Sequence, residues 1–414
     1  MRKFGIYFFL SFLTLKSAVA VPIYFPETES KSGMLQLKSN WFSFGAEFEG
    51  ELLVPQGDND LSFDSSEGVS HDNRDMTKFR VDKLTLIPQI FIKDILSFYG
   101  EIQAYTDRNT ADTTVLREAH LTLQLPWNLF LKFGIEDRLL SPEFSALNEA
   151  EGANKRLTEV YPINGTAFWE DEDLGFIFGG DHPIQSNLLL FWKASVTNGL
   201  SVDDEEITRN QIYPILHDDR HVQSLNVDLT AQKELGLGLG IRHHVSENFQ
   251  WSFFGFGFAN KLQVRDITFL QAVITGYTSA SDTNNMGGAN VDIGLFGFNL
   301  FSQYVYARDG QISRDGFYVQ PSYYHSFAKG RRFLSGARLL YRYNWLDVRT
   351  RSLADNIAGS PFTWDRETHT AALNIHIHQY VTLRNEFHLN LEQTGGNPGR
   401  VSNNEFLTQL EIRF

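Results

Sequence analysis

The chain has no cysteine, which excludes the disulfide framework that many proteins of oxidising compartments rely on. Basic residues are also few, because 36 Lys and Arg stand against 50 Asp and Glu, a formal net charge of −14. A nucleic-acid partner is therefore not expected, since it would require a basic surface. Beyond the N-terminus, no apolar run reaches the ~20 residues that a membrane-spanning helix needs.

Catalytic motifs are scarce as well. No glycine-rich phosphate loop follows a strand and opens a helix, and no Gly-x-Ser-x-Gly sequence occurs. His243-His244 and the pair His376 and His378 resemble metal ligands, but without a cysteine or a clear third ligand they are better explained as polar lumen positions on strands. We therefore expect no enzyme, no metal and no cofactor. A hydrolase whose Ser, His or Asp groups come from different strands is an alternative, because spacing alone does not reveal such a site.

Residues 1–20 are typical of a secretory signal peptide. Arg2 and Lys3 precede an apolar stretch that ends at Leu15, and Ala18-Val19-Ala20 has the A-x-A cleavage pattern. The stretch is too short for a spanning helix.

Without this signal, which contains three basic residues, 33 Lys and Arg remain against 50 Asp and Glu, a net charge of −17. Residues 21–40 would then form a short periplasmic segment, and residues 41–414 the folded domain.

From Trp41 onward, segments of about ten residues with alternating polarity recur between connectors. The pattern is clear at residues 42–53 (FSFGAEFEGELL), 116–125 (LREAHLTLQL) and 381–393 (VTLRNEFHLNLEQ). Side chains of a strand alternate between two faces, so each segment is predicted to be a strand with one apolar and one polar face. The 35 Phe, 15 Tyr and 7 Trp suit the aromatic girdles of a membrane barrel.

The connectors alternate in length. The short ones are residues 93–94, 126–128, 181–185, 296–297, 328–331 and 379–380, and the long ones are 55–76, 138–172, 201–221, 349–366 and 394–403. Short periplasmic turns and long extracellular loops are expected of an outer-membrane barrel, whereas a soluble sandwich has no reason for the asymmetry. We therefore predict a multi-pass β-barrel in the outer membrane of a Gram-negative bacterium.

The predicted fold is an all-β, transmembrane antiparallel β-barrel. It has 16 strands if residues 246–288 form one long excursion. It has 18 if residues 251–260 and 267–276 form a further hairpin of the wall. Barrels of 16 to 18 strands leave an aqueous channel.

The connector at 138–172 is long enough to suggest a function. We expect it to fold inward and narrow the pore, and the alternative is a position outside the barrel as a lid or surface epitope. Rings of charged side chains at a constriction select ions. The candidate loop residues are Arg138, Glu143, Glu149, Glu151, Lys155 and Arg156. The candidate pore-lining wall residues are Lys132, Glu136, Lys193, Arg338, Arg342, Arg384, Glu386 and His388.

The sequence closes on FLTQLEIRF, residues 406–414, which is predicted to be the last strand, paired with the first near Trp41. Gln409, Glu411 and Arg413 would face water. Phe406, Leu410, Ile412 and Phe414 would face lipid, and their pattern resembles the C-terminal signal that outer-membrane barrels present to the barrel insertion machinery.

Five segments in serial order resemble the phosphate-selective porin O and P family over roughly residues 115–414. They are residues 194–200 (ASVTNGL), 288–310 (GANVDIGLFGFNLFSQYVYARDG), 315–327 (DGFYVQPSYYHSF), 339–348 (LLYRYNWLDV) and 369–392 (HTAALNIHIHQYVTLRNEFHLNLE). The resemblance implies a 16-stranded barrel, a homotrimer, and passage through a constriction formed by an inward-folded loop. The chain departs from the family at GIEDRLLSPEF, where Glu136 and Asp137 stand near a basic position. Phosphate-specific members of the family line the pore with a dense ladder of Arg and Lys, whereas this chain has only scattered candidates for such positions. Phosphate selectivity therefore does not transfer, and an oxyanion preference stays open.

The leading hypothesis is a porin that admits small hydrophilic solutes or ions by passive diffusion. Its further expected partners are outer-membrane lipid and lipopolysaccharide. The alternative is a surface-binding or adhesive barrel that acts through its extracellular loops.

Overall fold

The computed structural model describes most of the predicted wall, and the structural statements below refer to that part of the chain. The described residues are 37–38, 41–56, 78–93, 95–105, 113–137, 172–198, 233–246, 248–262, 267, 282–327, 334–350, 364–378, 380–394, 400–401 and 404–413. The predicted signal peptide, residues 138–171 and Phe414 lie outside them. No helix within the described ranges is long and apolar enough to cross a membrane.

Sixteen long strands account for nearly all of the described residues. They are β1 (Phe42–Gln56), β2 (Lys78–Ile92), β3 (Leu96–Tyr105), β4 (Thr113–Leu125), β5 (Leu129–Asp137), β6 (Glu172–Gln185), β7 (Leu188–Thr197), β8 (Glu234–Ser246), β9 (Phe249–Lys261), β10 (Thr283–Leu295), β11 (Phe298–Asp309), β12 (Ile312–Ser326), β13 (Gly336–Thr350), β14 (Trp364–His378), β15 (Val381–Thr394) and β16 (Asn404–Arg413).

Each strand pairs antiparallel with the next along the chain, and β16 pairs with β1 to close the wall. In the closing pair Asn404 lies opposite Gln56, and Arg413 lies opposite Glu47. The predictions of a 16-stranded antiparallel barrel, and of a last strand that pairs with the first, are confirmed.

The wall is polar inside and apolar outside. On β4, His120 and Thr122 are 8% and 5% exposed, whereas Leu121 between them is 44% exposed. On β1, Glu47 and Glu49 are likewise buried. A water-soluble protein buries its apolar side chains, and the inverse arrangement suits a wall with lipid outside and a polar lumen inside. The protein is a multi-pass β-barrel of the bacterial outer membrane.

Two details of the predicted connectors are wrong. Residues 246–288 are not one excursion, because β9 carries residues 249–261 in the wall, hydrogen-bonded to β8 and β10. Residues 181–185 belong to β6 rather than to a turn. Apart from Ile267, the segment 267–276 lies outside the described residues.

Tight turns join the strands at the end of the barrel opposite the long loops. The turn between β4 and β5 places Trp127 and Asn128 at positive φ, 65° and 58°. The turn between β10 and β11 does the same with Phe296 and Gly297, at 48° and 85°. Positive φ is uncommon for bulky residues such as Trp127 and Phe296, and in both turns it occurs where the chain reverses between paired strands.

One connection on the long-loop side is also tight. β11 ends at Asp309 and β12 begins at Ile312, so only Gly310 and Gln311 lie between them. Gly310 has φ 62°, and its N–H donates to the Thr283 carbonyl of β10 at 2.6 Å. The predicted alternation of connector lengths therefore has an exception at this point of the wall.

A two-residue strand, Leu37–Lys38, precedes the first long strand and is hydrogen-bonded to it. Leu37–Lys38 pairs with β1, with Leu37 opposite Phe44 and Lys38 opposite Ser43. At these positions the other edge of β1 is paired with β2, so the segment lies on the β16 side of β1. Part of the predicted periplasmic segment 21–40 thus adds to the sheet.

Candidate functional site

The inner face of the barrel is the candidate site, and a charged network crosses the junction of its last and first strands. Arg384 of β15 forms an ion pair with Glu411 of β16, and its Nη1 donates to Gln409 Oε1 at 3.2 Å. Gln409 Nε2 in turn donates to Glu49 Oε2 of β1 at 3.0 Å. The network continues through Arg413, which is ion-paired with both Glu411 and Glu47.

Above this junction, a second polar cluster joins β14 and β15. His388 Nε2 lies 3.2 Å from Glu386 Oε2, and His388 Nδ1 lies 3.1 Å from the Thr370 hydroxyl. All three side chains are almost completely buried. The alternation of β15 therefore brings Arg384, Glu386 and His388 to one face, as the sequence predicts.

On β13, two arginines of the inner face lie against tyrosine rings of β12. The Arg342 guanidinium lies 3.7 Å from the centroid of the Tyr318 ring, and its Nε donates to Asn344 Oδ1 at 2.9 Å. Arg338 lies 5.6 Å from the ring centroid of Tyr324. The rings hold these cations by cation–π attraction and restrict their conformations.

The opposite arc, on β3 and β4, is acidic. Tyr99 donates a hydrogen bond to Glu101 at 3.0 Å and stacks on His120, with ring centroids 5.2 Å apart. His120 Nδ1 lies 3.8 Å from Glu118 Oε2. Carboxylates on β1, β3 and β4 and arginines on β13, β15 and β16 therefore give the inner face charges of both signs.

Aromatic rings occupy the inner face between β5 and β10, where glycines on neighbouring strands make room for them. A Cβ at Gly240 would lie 2.2 Å from the Phe191 ring, and one at Gly288 would lie 2.6 Å from the Phe256 ring. Phe191 stacks on Phe254, with centroids 5.5 Å apart. Two cations border this arc, since Lys132 lies 6.0 Å from the Phe130 ring and Arg242 lies 5.8 Å from the Phe191 ring.

The structure places the predicted wall residues as follows. Lys132, Arg342, Arg384, Glu386 and His388 are buried on the inner face, and Lys193 and Arg338 are half-buried there. Glu136 is on β5, but its side chain lies outside the described part, as do Arg138, Glu143, Glu149, Glu151, Lys155 and Arg156. On β16, Leu410 is exposed on the outer face while Gln409 and Glu411 are buried inside, as predicted.

A metal centre is not favoured by the two histidine pairs or by the carboxylates of the described inner face. Ligand oxygens of Glu47, Glu49 and Glu411 lie within 4.8 Å of one another, but Arg384, Arg413 and Gln409 already bind these carboxylates. His376 and His378 do not act as a pair, because the register shifts between them. The arginines are therefore better suited than a cation to compensate the carboxylates.

His243 and His244 are separated too. His243 lies 3.1 Å from the Asn187 side-chain amide and packs edge-on against Trp251, whereas His244 is exposed. The prediction of a lumen position is therefore wrong for His243, which lies on the outward side of β8 with Leu237 and Leu239.

No family model matches the sequence, and no curated protein matches it. Solved structures do match the fold. Pseudomonas putida OprB superposes with a TM-score of 0.57 at 11% identity, covering 94% of this chain and 96% of its own. The outer membrane channel DcaP of Acinetobacter baumannii gives 0.52 at 12% identity, covering 90% and 97%. Salmonella typhi OmpF, solved in complex with daunomycin, gives 0.55 at 9% identity, covering 90% and 97%.

Proposed function

We propose that the protein is a porin that lets small hydrophilic solutes and ions cross the outer membrane by passive diffusion. The observation that carries the proposal is the inverted wall, in which Glu47, His120 and Arg384 line the inside while Leu121 and Leu410 face outward. A closed barrel of sixteen strands encloses a lumen wide enough for water. The wall supplies polarity and charge, and no catalytic step is assigned to it.

We infer that the segment 138–172 folds into the lumen and narrows it. Tyr318, Thr370 and His388 on the inner face are all 0% exposed. Polypeptide folded into a lumen of this width would cover such side chains, in addition to wall neighbours such as Arg342 over the Tyr318 ring. The long connector between β5 and β6 is the candidate, and its Arg138, Lys155 and Arg156 would then meet the charged wall.

The constriction that follows has mixed charge. Arg338 and Arg342 of β13 attract anions, whereas the carboxylates of β3 and β4 attract cations. Arg384 and Arg413 compensate Glu411 and Glu47 in ion pairs. An oxyanion preference would require that solutes pass along the arginine side. A homotrimer embedded in outer-membrane lipid and lipopolysaccharide is the proposed assembly. Phe406, Leu410, Ile412 and Phe414 are the proposed contacts of the insertion machinery.

Reconstitution in a planar lipid bilayer tests the function. Folded protein should give stable ohmic conductance, and the reversal potential in a salt gradient should report the anion-to-cation permeability. Boiled protein is the control. Folded protein that inserts without conducting would contradict the proposal.

The second candidate is a surface-binding barrel, and the near-complete burial of Thr370, Asn374 and His388 is the observation that favours it. A closed lumen would leave the loops as the functional part. Such a protein would insert without conductance, and removal of one long loop would abolish binding to its partner while the barrel still folds.

A further inference from the structure

On the strands that the structure describes, outward carboxylates are clustered in one region of the wall. Among the strand side chains that the structure describes, the outward carboxylates are Asp315 on β12, Asp347 on β13 and Glu367 on β14. The outer face of the other strands is dominated by exposed residues such as Leu121, Phe133 and Leu239. We call the outer surface of β12–β14 the acidic face.

Two of these carboxylates lie directly opposite each other. Asp315 and Asp347 are paired across β12 and β13, where like charges destabilise a sheet unless a cation or donor compensates them. Tyr304 donates a hydrogen bond to Asp315 at 2.8 Å, and Arg349 forms an ion pair with Asp347. These partners belong to the same face, so the polar groups there form a connected patch.

The patch extends into the height of the membrane. The Tyr341 hydroxyl lies 2.7 Å from His369 Nδ1, and His369 Nε2 lies 3.3 Å from Glu367 Oε1. The side chains of His369 and Glu367 are 32% and 43% exposed. A strand rises ~3.4 Å per residue and tilts by ~40°, so each residue adds about 2.5 Å of height.

Tyr341 is five residues above the start of β13 at Gly336, and His369 is nine residues from the turn end of β14 at His378. They therefore lie about 13 and 23 Å up, inside an apolar band that is ~25 Å tall. His369 is thus near the upper edge of the band, and Asp315 and Glu367, each eleven residues from the turn end of its strand, lie about 28 Å up, just above the band. An ionisable side chain within the band is costly when it faces lipid, and a protein surface can offer it a polar partner.

A second outer surface, on β9 and β10 of the same chain, combines small side chains with lysines at its loop end. On the loop-side part of these strands its outward residues are small, namely Gly255, Gly257, Ala259, Gly287 and Ala289, whereas Phe253, Val291 and Ile293 face outward nearer the turns. A Cβ added at Gly255 or Gly257 would have no atom nearer than 3.6 Å, so the surface is flat and open.

Lysines stand at the loop end of the flat surface. Lys261 closes β9, with 58% of its side chain exposed and an ion pair to Asp282 at 3.1 Å. Lys233 directly precedes β8 and is exposed. We call β9 and β10 with these two lysines the flat face. Asp315 and Glu367 are likewise near the loop ends of their strands, so the opposite charges have similar heights.

We propose that the acidic face of one copy of this chain packs against the flat face of the next, and that these contacts close the proposed homotrimer. The proposal deepens that assembly by naming its interface. A ring needs two different surfaces on each member, one for each neighbour. Exposed Tyr304 and Tyr341 protrude from the acidic side, and the glycine and alanine surface leaves room for such side chains.

The positions of the two faces suit a ring of three. β13 is three strand positions from β10, roughly a fifth of the circumference of a sixteen-stranded wall. In a closed ring of three, the two contact lines of each member lie about a sixth of the circumference apart. Between the two faces, β11 would point to the threefold axis. Only Gly310 and Gln311 connect β11 to β12, so no long loop stands above the wall at that point.

Cysteine cross-linking tests the interface, and the cysteine-free chain makes the label specific. The full-length double variant Ala259→Cys with Glu367→Cys is folded in outer-membrane lipid and treated with a bis-maleimide reagent. We expect dimer and trimer bands on denaturing gels at several times the yield of the control. The control variant, Leu84→Cys with Val196→Cys, carries its thiols on exposed outward positions of β2 and β7.

Equal yields from both variants, or no cross-linked bands from the first, would overturn the interface. In the latter case a fluorophore on the Cys of Glu367→Cys that is quenched by brominated lipid would show that this face contacts lipid. Charge reversal is the second measurement. Lys261→Glu and Glu367→Lys should each lower the temperature at which the oligomer dissociates, and the combined variant should restore it; a combined variant that is no better than either single one counts against the pairing.

These outcomes are separate from those of the porin proposal. Conductance of the wild-type protein is measured in parallel. A conducting barrel without the expected cross-links would reject the interface and keep the porin. Cross-linked trimers that do not conduct would reject the porin and keep the interface.

Discussion

Arg384 of β15 and Glu411 of β16 form an ion pair inside the barrel, with only 4% and 3% of their side chains exposed. Through Gln409 the pair is connected to Glu49 of β1. The contact between Gln409 and Glu49 joins residues 360 positions apart in the sequence. Strand pairings of such separation close the longest loop in the chain, and a buried network at that junction helps to fix its register.

Replacing Arg384 should weaken this junction. Arg384→Gln removes the ion pair with Glu411 and the donor to Gln409, so we expect a loss of about 3 kcal/mol in the free energy of unfolding, the usual cost of breaking a buried ion pair. Urea unfolding in detergent micelles or bilayers measures it. The double variant Arg384→Met with Glu411→Leu should be less destabilised, because no charge is left without its partner. A double variant as unstable as the single one would contradict the coupling.

Gly240 should not tolerate a methyl group. In Gly240→Ala the Cβ would lie 2.2 Å from the Phe191 ring, which is stacked on Phe254 and has little freedom to move. We expect overpacking to cost about 1–3 kcal/mol, measured as a lower temperature at which the folded band disappears on unboiled gels.

Two further variants control this prediction. Gly50→Ala, on the outer face, brings no atom closer than Phe48 Cε1 at 3.6 Å and should behave as wild type. Combining Gly240→Ala with Phe191→Leu should recover part of the loss. If Gly50→Ala and Gly240→Ala are equally destabilising, the absence of a side chain at Gly240 is not what makes room for the Phe191 ring.

The aromatic rings of β9 show why some strands could be recognised from alternating polarity in the sequence and others could not. Strands with one polar and one apolar face, such as β4 and β15, are evident from alternation alone. On β9 both faces carry aromatic side chains, since Phe253 is 45% exposed outside while Phe254 is 4% exposed inside. The strand therefore lacks the polarity pattern that would place it in the wall. Its inner rings fit because of glycines on β8 and β10, which is a contact between strands.

For the candidate site, the sequence predicted which side chains share a face but not which partners they contact. Alternation places Arg384, Glu386 and His388 on one face of β15 without knowledge of the fold. Their partners depend on the register between strands, which the sequence does not contain. Glu49 and Gln409 are an example, because the predicted pairing of the last strand with the first does not give the register that brings these two side chains together.

Arg338 should influence the ion preference of the channel. It is half-buried on the inner face of β13, beside the Tyr324 ring. Removing a positive charge from the lumen favours cations, so Arg338→Gln should shift the reversal potential in a KCl gradient toward that of potassium. Lys93→Gln is the control, since Lys93 lies in the exposed turn after β2. Equal reversal potentials for Arg338→Gln and wild type would mean that permeating ions do not pass this side of the wall.

Shortening the segment 138–172 should widen the pore. If this segment covers the inner face, deletion of residues 145–165 with a short Gly-Ser link should raise single-channel conductance roughly twofold or more, because the narrowest section sets the resistance. A deletion of equal length within residues 201–232 is the control and should change conductance less.

Accessibility of the wall gives a second measurement for the same deletion. Thr370→Cys places the chain's sole thiol at an inner-face position that is 0% exposed. With residues 138–172 intact, a water-soluble maleimide should label it slowly, and with residues 145–165 removed labelling should become fast. Labelling that is slow in both proteins would assign the cover of Thr370 to another part of the chain, and the conductance should then be unchanged as well. The two measurements must agree, because the polypeptide that shields Thr370 from water is also the obstacle that ions have to pass.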